Sequence, residues 1–311
     1  MSEPLVSIIC ITYNHEPYIR QCLDGFMMQR TNFSFEVLIH DDASTDNTVG
    51  IIREYEEKYP GIIKPIYQKE NQYSKGVKIG MTYLYPRAKG KYIAECEGDD
   101  YWIDPLKLQK QVDILNSNEE CSLVITNGRV LNSITGQIKK INPFGEFESG
   151  YVNIHDILQE RYYLIPTASM CFRKEYIKMP SFFYESPVGD KPLRLWCALN
   201  GKVYYLSDVT VVYRFYSVSS FGLRISKDNH LAKNVYEKMI TFYDKVNEYS
   251  LYKYNADIQL LKDKEEYFYY RRIGNRKQVI KSRYFSQLPI VIRIRFVLKT
   301  IMIRLRDALS I

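Results

Sequence analysis

The sequence lacks the marks of several protein classes. Its 311 residues contain no uninterrupted apolar run of the roughly 20 residues that a membrane-spanning helix needs. No basic segment precedes the short apolar run at the N-terminus, so we expect a buried first strand there and not a signal peptide. No G-x-G-x-x-G loop follows an apolar run, which argues against a dinucleotide-binding dehydrogenase.

Cysteine and histidine are also scarce, and their spacing argues against a zinc site. The six cysteines form no C-x-x-C pair, and the four histidines show no metal-ligand spacing. Most of the cysteines lie among apolar residues, which is typical of reduced core cysteines in a cytosolic protein. We therefore expect a cytoplasmic protein.

Charge is distributed unevenly along the chain. The net charge is +7, but residues 222–311 hold 19 Lys and Arg against 9 Asp and Glu, or +10, which leaves −3 for residues 1–221. This asymmetry indicates different partners for the two parts. We therefore divide the chain into a globular domain, residues 1–221, and a helical basic C-terminal region, residues 222–311.

Short apolar segments rich in β-branched residues alternate with segments of helical spacing over the first hundred residues. This alternation predicts an α/β fold with a mostly parallel central sheet flanked by helices. The first four predicted strands are Val6–Ile11, Phe35–Ile39, Ile62–Tyr67 and Lys91–Glu95. Between the third and fourth strands we predict a helix through Tyr83. Further along, we predict helices at 106–115 and 192–199, strands at 122–127, 203–206 and 209–215, and helical structure from about residue 223.

Polar residues gather where three of these strands end. Thr12-Tyr-Asn14 follows the first strand, Asp41-Asp42 follows the second, and Asp99-Asp100 follows the fourth. In parallel sheets, ligands bind in the crevice beyond the carboxyl ends of the strands. We therefore expect the three groups to line one crevice.

The segment Glu97-Gly-Asp-Asp100, called the acidic turn below, brings carboxylates close together. Such groups repel one another unless a cation is present, and Mg²⁺ or Mn²⁺ prefers oxygen ligands and often bridges carboxylates to substrate phosphates. Gly98 would let the backbone turn sharply. The alternative is that Asp99 or Asp100 caps a following helix, and the residues alone leave both interpretations open.

Asp41 and Asp42 form part of a second acidic cluster. Asp46, before Asn-Thr-Val, is typical of a helix start. Asp41 and Asp42 are less well explained by capping, and a carboxylate at a strand end can accept hydrogen bonds from a nucleobase or from ribose hydroxyls.

Three segments, Val6–Asn14, Val37–Asp46 and Gly90–Trp102, resemble in order and spacing the N-terminal motifs of family 2 inverting glycosyltransferases. The resemblance continues through Val188-Gly-Asp190 to Tyr213-Arg214 and covers about residues 4–220. It is similar to bacterial members that build capsular or lipopolysaccharide glycans. The resemblance implies a GT-A catalytic domain over residues 1–221, a nucleotide-diphosphate donor of the UDP-sugar type, and Mn²⁺ or Mg²⁺ as cofactor.

The resemblance also implies roles for individual residues. Glu97 departs from the family pattern, in which aspartate is usual at that position. Many relatives have a histidine near the place of Tyr216. Metal binding falls to Asp99 and Asp100, and donor binding to Thr12, Tyr13, Asn14, Asp41, Asp42, Asn71, Glu97, Asp99 and Arg214.

An inverting transfer needs a base that deprotonates the acceptor hydroxyl. Asp190 matches the catalytic aspartate of the family, and Glu185 is the nearby backup. The alternative role of Asp190 is to cap the helix predicted at 192–199. Arg214 could contact the diphosphate or serve as a structural ion-pair partner.

The last 41 residues are strongly basic. Residues 271–311 hold 11 Lys and Arg and one acid, Asp307, and apolar residues are interleaved with them. This pattern is typical of a helix that lies on a membrane surface, here the inner face of the plasma membrane. A helix packed on the catalytic domain, or on a second copy in a homodimer, is the alternative. Nothing in the sequence resembles a nucleic-acid-binding module.

The expected function is therefore transfer of a hexosyl or N-acetylhexosaminyl group to a glycan or lipid-linked acceptor in bacterial surface polysaccharide synthesis. A catalytically silent relative that binds nucleotide sugars or organises a membrane complex is the alternative. A sugar-nucleotide pyrophosphorylase is disfavoured, because residues 12–17 lack the Gly-rich, Arg/Lys-bearing loop that it needs after the first strand.

Overall fold

The computed structural model describes residues 3–145, 147–159, 164–217 and 220–309. The chain forms two compact units, one from residues 1–184 and 188–223 and the other from residues 185–187 and 224–311. The catalytic and C-terminal roles assigned to residues 1–221 and 222–311 stay predictions.

The first unit is built on a single sheet. Its strands are β1 (Val6–Thr12), β2 (Phe35–Asp41), β3 (Ile63–Tyr67), β4 (Tyr92–Glu95), β5 (Tyr101–Trp102), β6 (Cys121–Asn132), β7 (Ile138–Lys140), β8 (Gly150–Val152), β9 (Met170–Arg173) and β10 (Lys202–Phe215). Its helices are α1 (Ile19–Met27), α2 (Thr48–Lys58), α3 (Lys107–Ser117), α4 (Ile154–Gln159), α5 (Ser181–Tyr184) and α6 (Asp190–Asn200). Helix α7 (Phe221–Lys227) leads into the second unit.

The sheet has the order β3-β2-β1-β4-β9-β6-β10-β5, with β7 beside β6 and β8 beside β10. Strands β3, β2, β1 and β4 are parallel, whereas β9 runs antiparallel to both β4 and β6. Strand β10 pairs parallel with β6 and antiparallel with β5 and β8. The predicted α/β class is confirmed, and the sheet is mixed where it continues past β4.

Strand β1 shows why the predicted strands form. Ile8 and Cys10 pack on one side of the sheet with α1 and α2, while Ile9 packs on the other side with Leu38 and Ile93. A strand buried on both faces reads as a continuous apolar run, as in parallel sheets generally. This burial suits the interior position of β1 in the sheet, where its carboxyl end lies between the ends of β2 and β4.

Two element predictions were wrong in detail. The strands predicted at 203–206 and 209–215 are one strand, β10, whose register with β6 shifts between Leu206 and Val209 and again between Val209 and Val211. The helix expected before Tyr83 is a π-helical turn, Gly80–Leu84, followed by a short 3₁₀ turn at Tyr85–Arg87. In β10, bulges at the register shifts let the long strand bend without ending.

The second unit is helical, which confirms the prediction for the C-terminal region. Its helices are α8 (Asn229–Tyr249), α9 (Asn255–Arg272), α10 (Arg276–Lys281), α11 (Arg283–Gln287) and α12 (Ile290–Leu309). Tyr267, Val279 and Phe285 form a buried core between α9, α10 and α11. Over the described residues, none of the helices combines the length and apolarity that crossing a membrane requires.

Candidate active site

The end of β1 is fastened to the loop after β2 by Asn14. This residue has a φ of 53°, in the left-handed region that asparagine adopts more readily than most residues. Its Oδ1 accepts a hydrogen bond from the Thr45 N–H at 2.8 Å, and its own N–H donates to Ser44 Oγ at 2.9 Å. The Asp42 N–H also donates to the Thr12 carbonyl at 3.0 Å, so the first two polar groups predicted to share a crevice are in direct contact.

Asp41 and Asp42 organise the loops at this end of the sheet. Asp41 accepts from the Ser44 hydroxyl at 2.5 Å and from the Ser44 N–H at 3.0 Å, and burial raises its pKa. Asp42 accepts the N–H groups of Gln72 at 2.7 Å and Tyr73 at 3.0 Å. Each carboxylate oxygen retains capacity for a further hydrogen bond.

Asn71 holds the loop that Asp42 orders. Its Nδ2 donates to the Asp42 carbonyl at 3.1 Å, and its Oδ1 accepts from the Ser74 N–H at 2.8 Å. Tyr13 is half-buried beside Thr12, whose hydroxyl is buried and has no hydrogen-bond partner among the described residues. Thr12, Tyr13, Asn14, Asp42 and Asn71 thus lie along one edge of the sheet, at the ends of β1 and β2.

The acidic turn meets the end of β1 at Gly98. The Gly98 N–H donates to the Ile11 carbonyl at 2.9 Å. A Cβ at this position would lie 2.9 Å from both the Thr12 side chain and His15 Nδ1. Only glycine permits this approach without displacement. The close contact brings the ends of β4 and β1 together.

The three carboxylates of the acidic turn differ in exposure. Glu97 is exposed, Asp99 is 7% exposed, and Asp100 is 1% exposed. Asp99 Oδ2 accepts from the Ser217 hydroxyl at 2.5 Å, and Asp100 Oδ1 accepts from the Arg214 N–H at 2.7 Å. The other oxygen of Asp100, Oδ2, is buried without a hydrogen-bond partner among the described residues.

Electrostatic repulsion is strong in this turn. Burial and the charge of Asp99 raise the pKa of Asp100. Desolvation by the surrounding protein and the charges of Asp99, Asp190 and Glu95 raise the pKa of Glu97. Because the Glu97 side chain is open to solvent, we attribute its shift chiefly to the neighbouring carboxylates. Such a cluster favours a cation.

A divalent cation fits this donor set. The described residues contain no group of three or more His, Cys, Asp or Glu that could hold a metal without help. Magnesium-type ions are often bound by one or two carboxylates together with substrate phosphates. Asp99 and Asp100 supply such oxygens, and the unpartnered Oδ2 of Asp100 lacks the hydrogen bond that a buried carboxylate oxygen normally has.

The capping alternative for the acidic turn is wrong. Tyr101 and Trp102, which follow the turn, form strand β5, and the next helix, α3, begins only at Lys107. Asp46 does support the start of α2, because its carboxylate accepts the Thr48 N–H at 3.0 Å. The structure therefore distinguishes the two acidic clusters: Asp46 supports a helix start, whereas the acidic turn precedes a strand.

Arg214 braces the acidic turn from β10. Its guanidinium donates to the Asp99 carbonyl and to Gln21 Oε1, and lies 4.9 Å from the ring centre of Tyr18 and 4.6 Å from that of Tyr101. The residue is only 5% exposed. This packing gives Arg214 a structural role, while its contact with a donor diphosphate stays a prediction.

Asp190 is the first residue of α6. Its charge raises the pKa of both Glu95 and Glu97, so its carboxylate shares their electrostatic environment. The residue before it, Gly189, is the N-cap, and no side chain caps this helix. Asp190 is therefore not the cap, and its carboxylate lies 3.9 Å from Arg194 Nη1. Glu185 lies in the second unit, where it pairs with Lys245 at 2.5 Å.

Sequence reasoning missed several residues of this site. Ser217 and Gln21 contact Asp99 and Arg214 from distant parts of the chain, and no local pattern marks them. Glu95 carried a signal, since it is a charged residue inside an apolar strand. It is 8% exposed and accepts a hydrogen bond from the Tyr85 hydroxyl. Burial raises the pKa of Glu95 to about 7.

Comparison with known proteins decides the family. The model of glycosyl transferase family 2 matches residues 7–178, which is more than half of the chain. The chain belongs to this family. The matched part of this family 2 glycosyltransferase runs from β1 past the acidic turn, and Asp190 and Arg214 lie beyond it.

The family 2 assignment agrees with individual relatives. The uncharacterised protein Mb1547 of Mycobacterium bovis is 38% identical over 213 residues, or 67% of this chain and 58% of that protein. The uncharacterised glycosyltransferase alr2836 of Nostoc is 24% identical over 229 residues, or 69% of this chain and 66% of that protein. The match therefore spans less than two thirds of the length of these relatives.

Solved structures share the fold of this member of family 2. Staphylococcus aureus TarS in complex with UDP-GlcNAc aligns with a TM-score of 0.58 and 20% identity over 78% of this chain and 66% of that chain. The mannosyltransferase PcManGT of Pyrobaculum calidifontis, in complex with GDP-Man and Mn²⁺, aligns with a TM-score of 0.53 and 18% identity over 78% of this chain and 65% of that chain. These likenesses confirm the GT-A fold.

Proposed function

We propose that this chain is a metal-dependent, inverting glycosyltransferase that moves a hexosyl or N-acetylhexosaminyl group from a UDP-sugar to a hydroxyl of a glycan or lipid-linked acceptor. The observation that carries the proposal is the shared electrostatic environment of Asp190 and the acidic turn. The proposal assigns the base and the metal ligands to one crevice, beyond the carboxyl ends of the neighbouring strands β1 and β4.

In this proposal Asp190 accepts the proton of the acceptor hydroxyl while the hydroxyl oxygen attacks the anomeric carbon. The bond from that carbon to the diphosphate breaks, and the nucleoside diphosphate leaves with the electron pair. Asp99 and Asp100 would hold Mn²⁺ or Mg²⁺, which would neutralise charge on the departing diphosphate. Asn14, Asp41 and Asp42 border the place where the nucleoside would lie.

The relatives support a role in surface polysaccharide synthesis. A candidate teichuronic acid biosynthesis glycosyltransferase of Bacillus subtilis, TuaG, is 34% identical over 113 residues, or 36% of this chain and 42% of that protein. TarS binds UDP-GlcNAc and PcManGT binds GDP-Man with Mn²⁺. The proposal places the activity in the cytoplasm, which the six free, buried cysteines favour.

The decisive experiment measures donor turnover. The full chain is incubated with Mn²⁺ or Mg²⁺ and a panel of UDP- and GDP-sugars, and release of the nucleoside diphosphate is followed with and without candidate acceptors. In Asp190→Asn we expect the rate to fall by roughly 10²–10⁴-fold while the donor Kd is unchanged, because a general base acts only in the chemical step.

The matched control is Glu185→Gln, which removes the charge of a carboxylate that lies in the second unit. Its turnover should equal that of the wild type. Donor binding without turnover under every condition would instead identify a catalytically silent nucleotide-sugar-binding protein. An equal loss of rate in both variants would remove Asp190 from the role of base.

A further inference from the structure

Helix α12 presents two different faces over residues 290–302, where its side chains are described. The inner face packs on the core of the second unit through Phe296 and Val297. The rings of Phe296 and Phe285 meet edge to face with centroids 5.5 Å apart, and Thr300 on the same face is 4% exposed. One side of α12 is therefore already packed against its own unit.

The opposite side carries large apolar side chains that are open to solvent. At 100° per residue they fall within an arc of roughly 120° on the helix surface. A contiguous apolar patch of this kind is rare on a soluble surface and marks a site of interaction. This outer stripe consists of Ile290, Val291, Ile294, Leu298, Ile301 and Met302, with exposures of 63, 56, 51, 54, 47 and 62% respectively.

Basic residues accompany the outer stripe. Arg295 and Lys299 are exposed and lie one turn apart along one of its edges. Between Glu266 and Asp307 the chain has eleven Lys and Arg and no Asp or Glu. The surroundings of the stripe in sequence are thus cationic, with no acidic residue to balance them.

We propose that the outer stripe of α12 docks on a bilayer containing anionic phospholipid, with its aliphatic side chains in the headgroup layer. Arg295 and Lys299 then reach lipid phosphates, and long basic side chains at such a boundary keep their charged ends in the polar layer. Each basic residue near an anionic surface adds to the attraction, and salt screens this contribution.

A second copy of the chain fits the stripe less well. Pairing two stripes would bring Arg295 and Lys299 of one chain toward the same residues of the other, and residues 290–302 offer no carboxylate to offset this repulsion. An anionic lipid surface covers the apolar side chains and neutralises the charges together. Charge complementarity therefore favours an anionic lipid surface over a second copy of the chain as the partner of the stripe.

The test uses the full chain and vesicles, without nucleotide sugar, so that its result does not depend on the proposed enzymatic activity. Binding is measured by co-sedimentation with vesicles of phosphatidylcholine alone or with one quarter phosphatidylglycerol. We expect at least roughly tenfold stronger partition to the anionic vesicles, decreasing as salt is raised.

Two double variants probe the two parts of the surface. Ile294→Ser with Leu298→Ser removes apolar area, and Arg295→Glu with Lys299→Glu reverses the charges. Each should lower partition to anionic vesicles by roughly tenfold or more, since apolar burial and charge both contribute. Circular dichroism of each variant verifies that it is folded.

Matched controls change exposed residues elsewhere. Ile134→Ser with Leu251→Ser alters side chains that are 72 and 87% exposed, and Lys139→Glu with Lys140→Glu makes the same change in net charge on β7. Both should bind vesicles as the wild type does. Equal partition of the wild type to neutral and anionic vesicles would overturn the proposal. So would a wild-type dimer that the stripe variants convert to monomers while their vesicle binding is unchanged.

Discussion

At Gly98 the backbone of the acidic turn passes so close to β1 that an added methyl group would lie 2.9 Å from Thr12 and from His15. Neither neighbour is a flexible chain end, because Thr12 is 1% exposed and His15 is 8% exposed. The contact therefore joins the metal-binding part of the proposed site to the nucleoside-binding part through one residue without a side chain.

Gly98→Ala should lower the free energy of unfolding by roughly 1–3 kcal/mol, the usual cost of forcing extra volume into a packed site. Urea unfolding measures the change. The control is Gly222→Ala in α7, where a Cβ would meet nothing within 4 Å and alanine favours the helix. Equal stability of the two variants would show that the turn can move away from β1.

Asp99→Asn should remove the metal-dependent part of nucleotide binding. It replaces a carboxylate by an amide of similar size, which is a poorer ligand for a hard divalent cation. In the wild type, UDP with Mn²⁺ at 100 times the Kd should stabilise the fold by about 2.7 kcal/mol, and EDTA should reverse the rise in Tm. In Asp99→Asn, Mn²⁺ should add nothing, whereas the exposed control Asp113→Asn should behave as the wild type.

At the scale of elements, strand β4 carries the carboxyl group of Glu95 into the core beside Tyr85. Burial and the charge of Asp190 raise the pKa of Glu95 to about 7 from an ordinary 4.5. Between these two values the folded state binds more protons than the unfolded chain. The contribution of Glu95 to stability is therefore fully present below the lower pKa and falls as pH rises toward 7.

Glu95→Gln should remove this loss, because glutamine keeps an acceptor for the Tyr85 hydroxyl and has no proton to release. The difference in free energy of unfolding between variant and wild type should shift in favour of the variant by up to about 3 kcal/mol between pH 5 and pH 8. Urea titrations at several pH values, without metal, measure it. The exposed change Glu148→Gln, measured at the same pH values, is the control for the loss of one carboxyl group.

Strand β1 could be predicted because a short, continuous apolar run is typical of a strand buried on both faces. Strand β10 was predicted in two pieces because Ser207-Asp208 interrupts its apolar run. The strand continues through these residues by means of bulges, which arise only from its pairing with β6. The acidic turn stayed ambiguous because the two residues of β5 are too few for a periodic signal. Asp190 was assigned by family resemblance, and its first-turn position in α6 needed coordinates.

At the scale of the whole molecule, all six cysteines are free and fully buried in the first unit. Five of them belong to the strands and helices of its core, and Cys96 directly follows β4. Burial raises the pKa of Cys96 and Cys121 to about 11 and of Cys171 to about 12. A protonated and inaccessible thiol reacts slowly with disulfide reagents.

Native protein should therefore show almost no reactive thiol, and all six should appear together as the first unit unfolds. Labelling with a thiol reagent across a urea series, counted by mass spectrometry, measures this. The midpoint should coincide with that of the circular dichroism transition if the unit unfolds cooperatively. Stepwise appearance of one or two labels below the midpoint would contradict a single buried core.

The brace from β10 to the acidic turn has a consequence for how the protein is made. Arg214 and Ser217 bond to Asp99 and Asp100 across sequence separations of 114 to 118 residues. A ribosome that has produced the acidic turn must therefore add more than one hundred residues before these bonds can form. Contacts of such range close late. On a growing chain, the proposed metal ligands lack these hydrogen bonds until β10 has emerged and paired with β6.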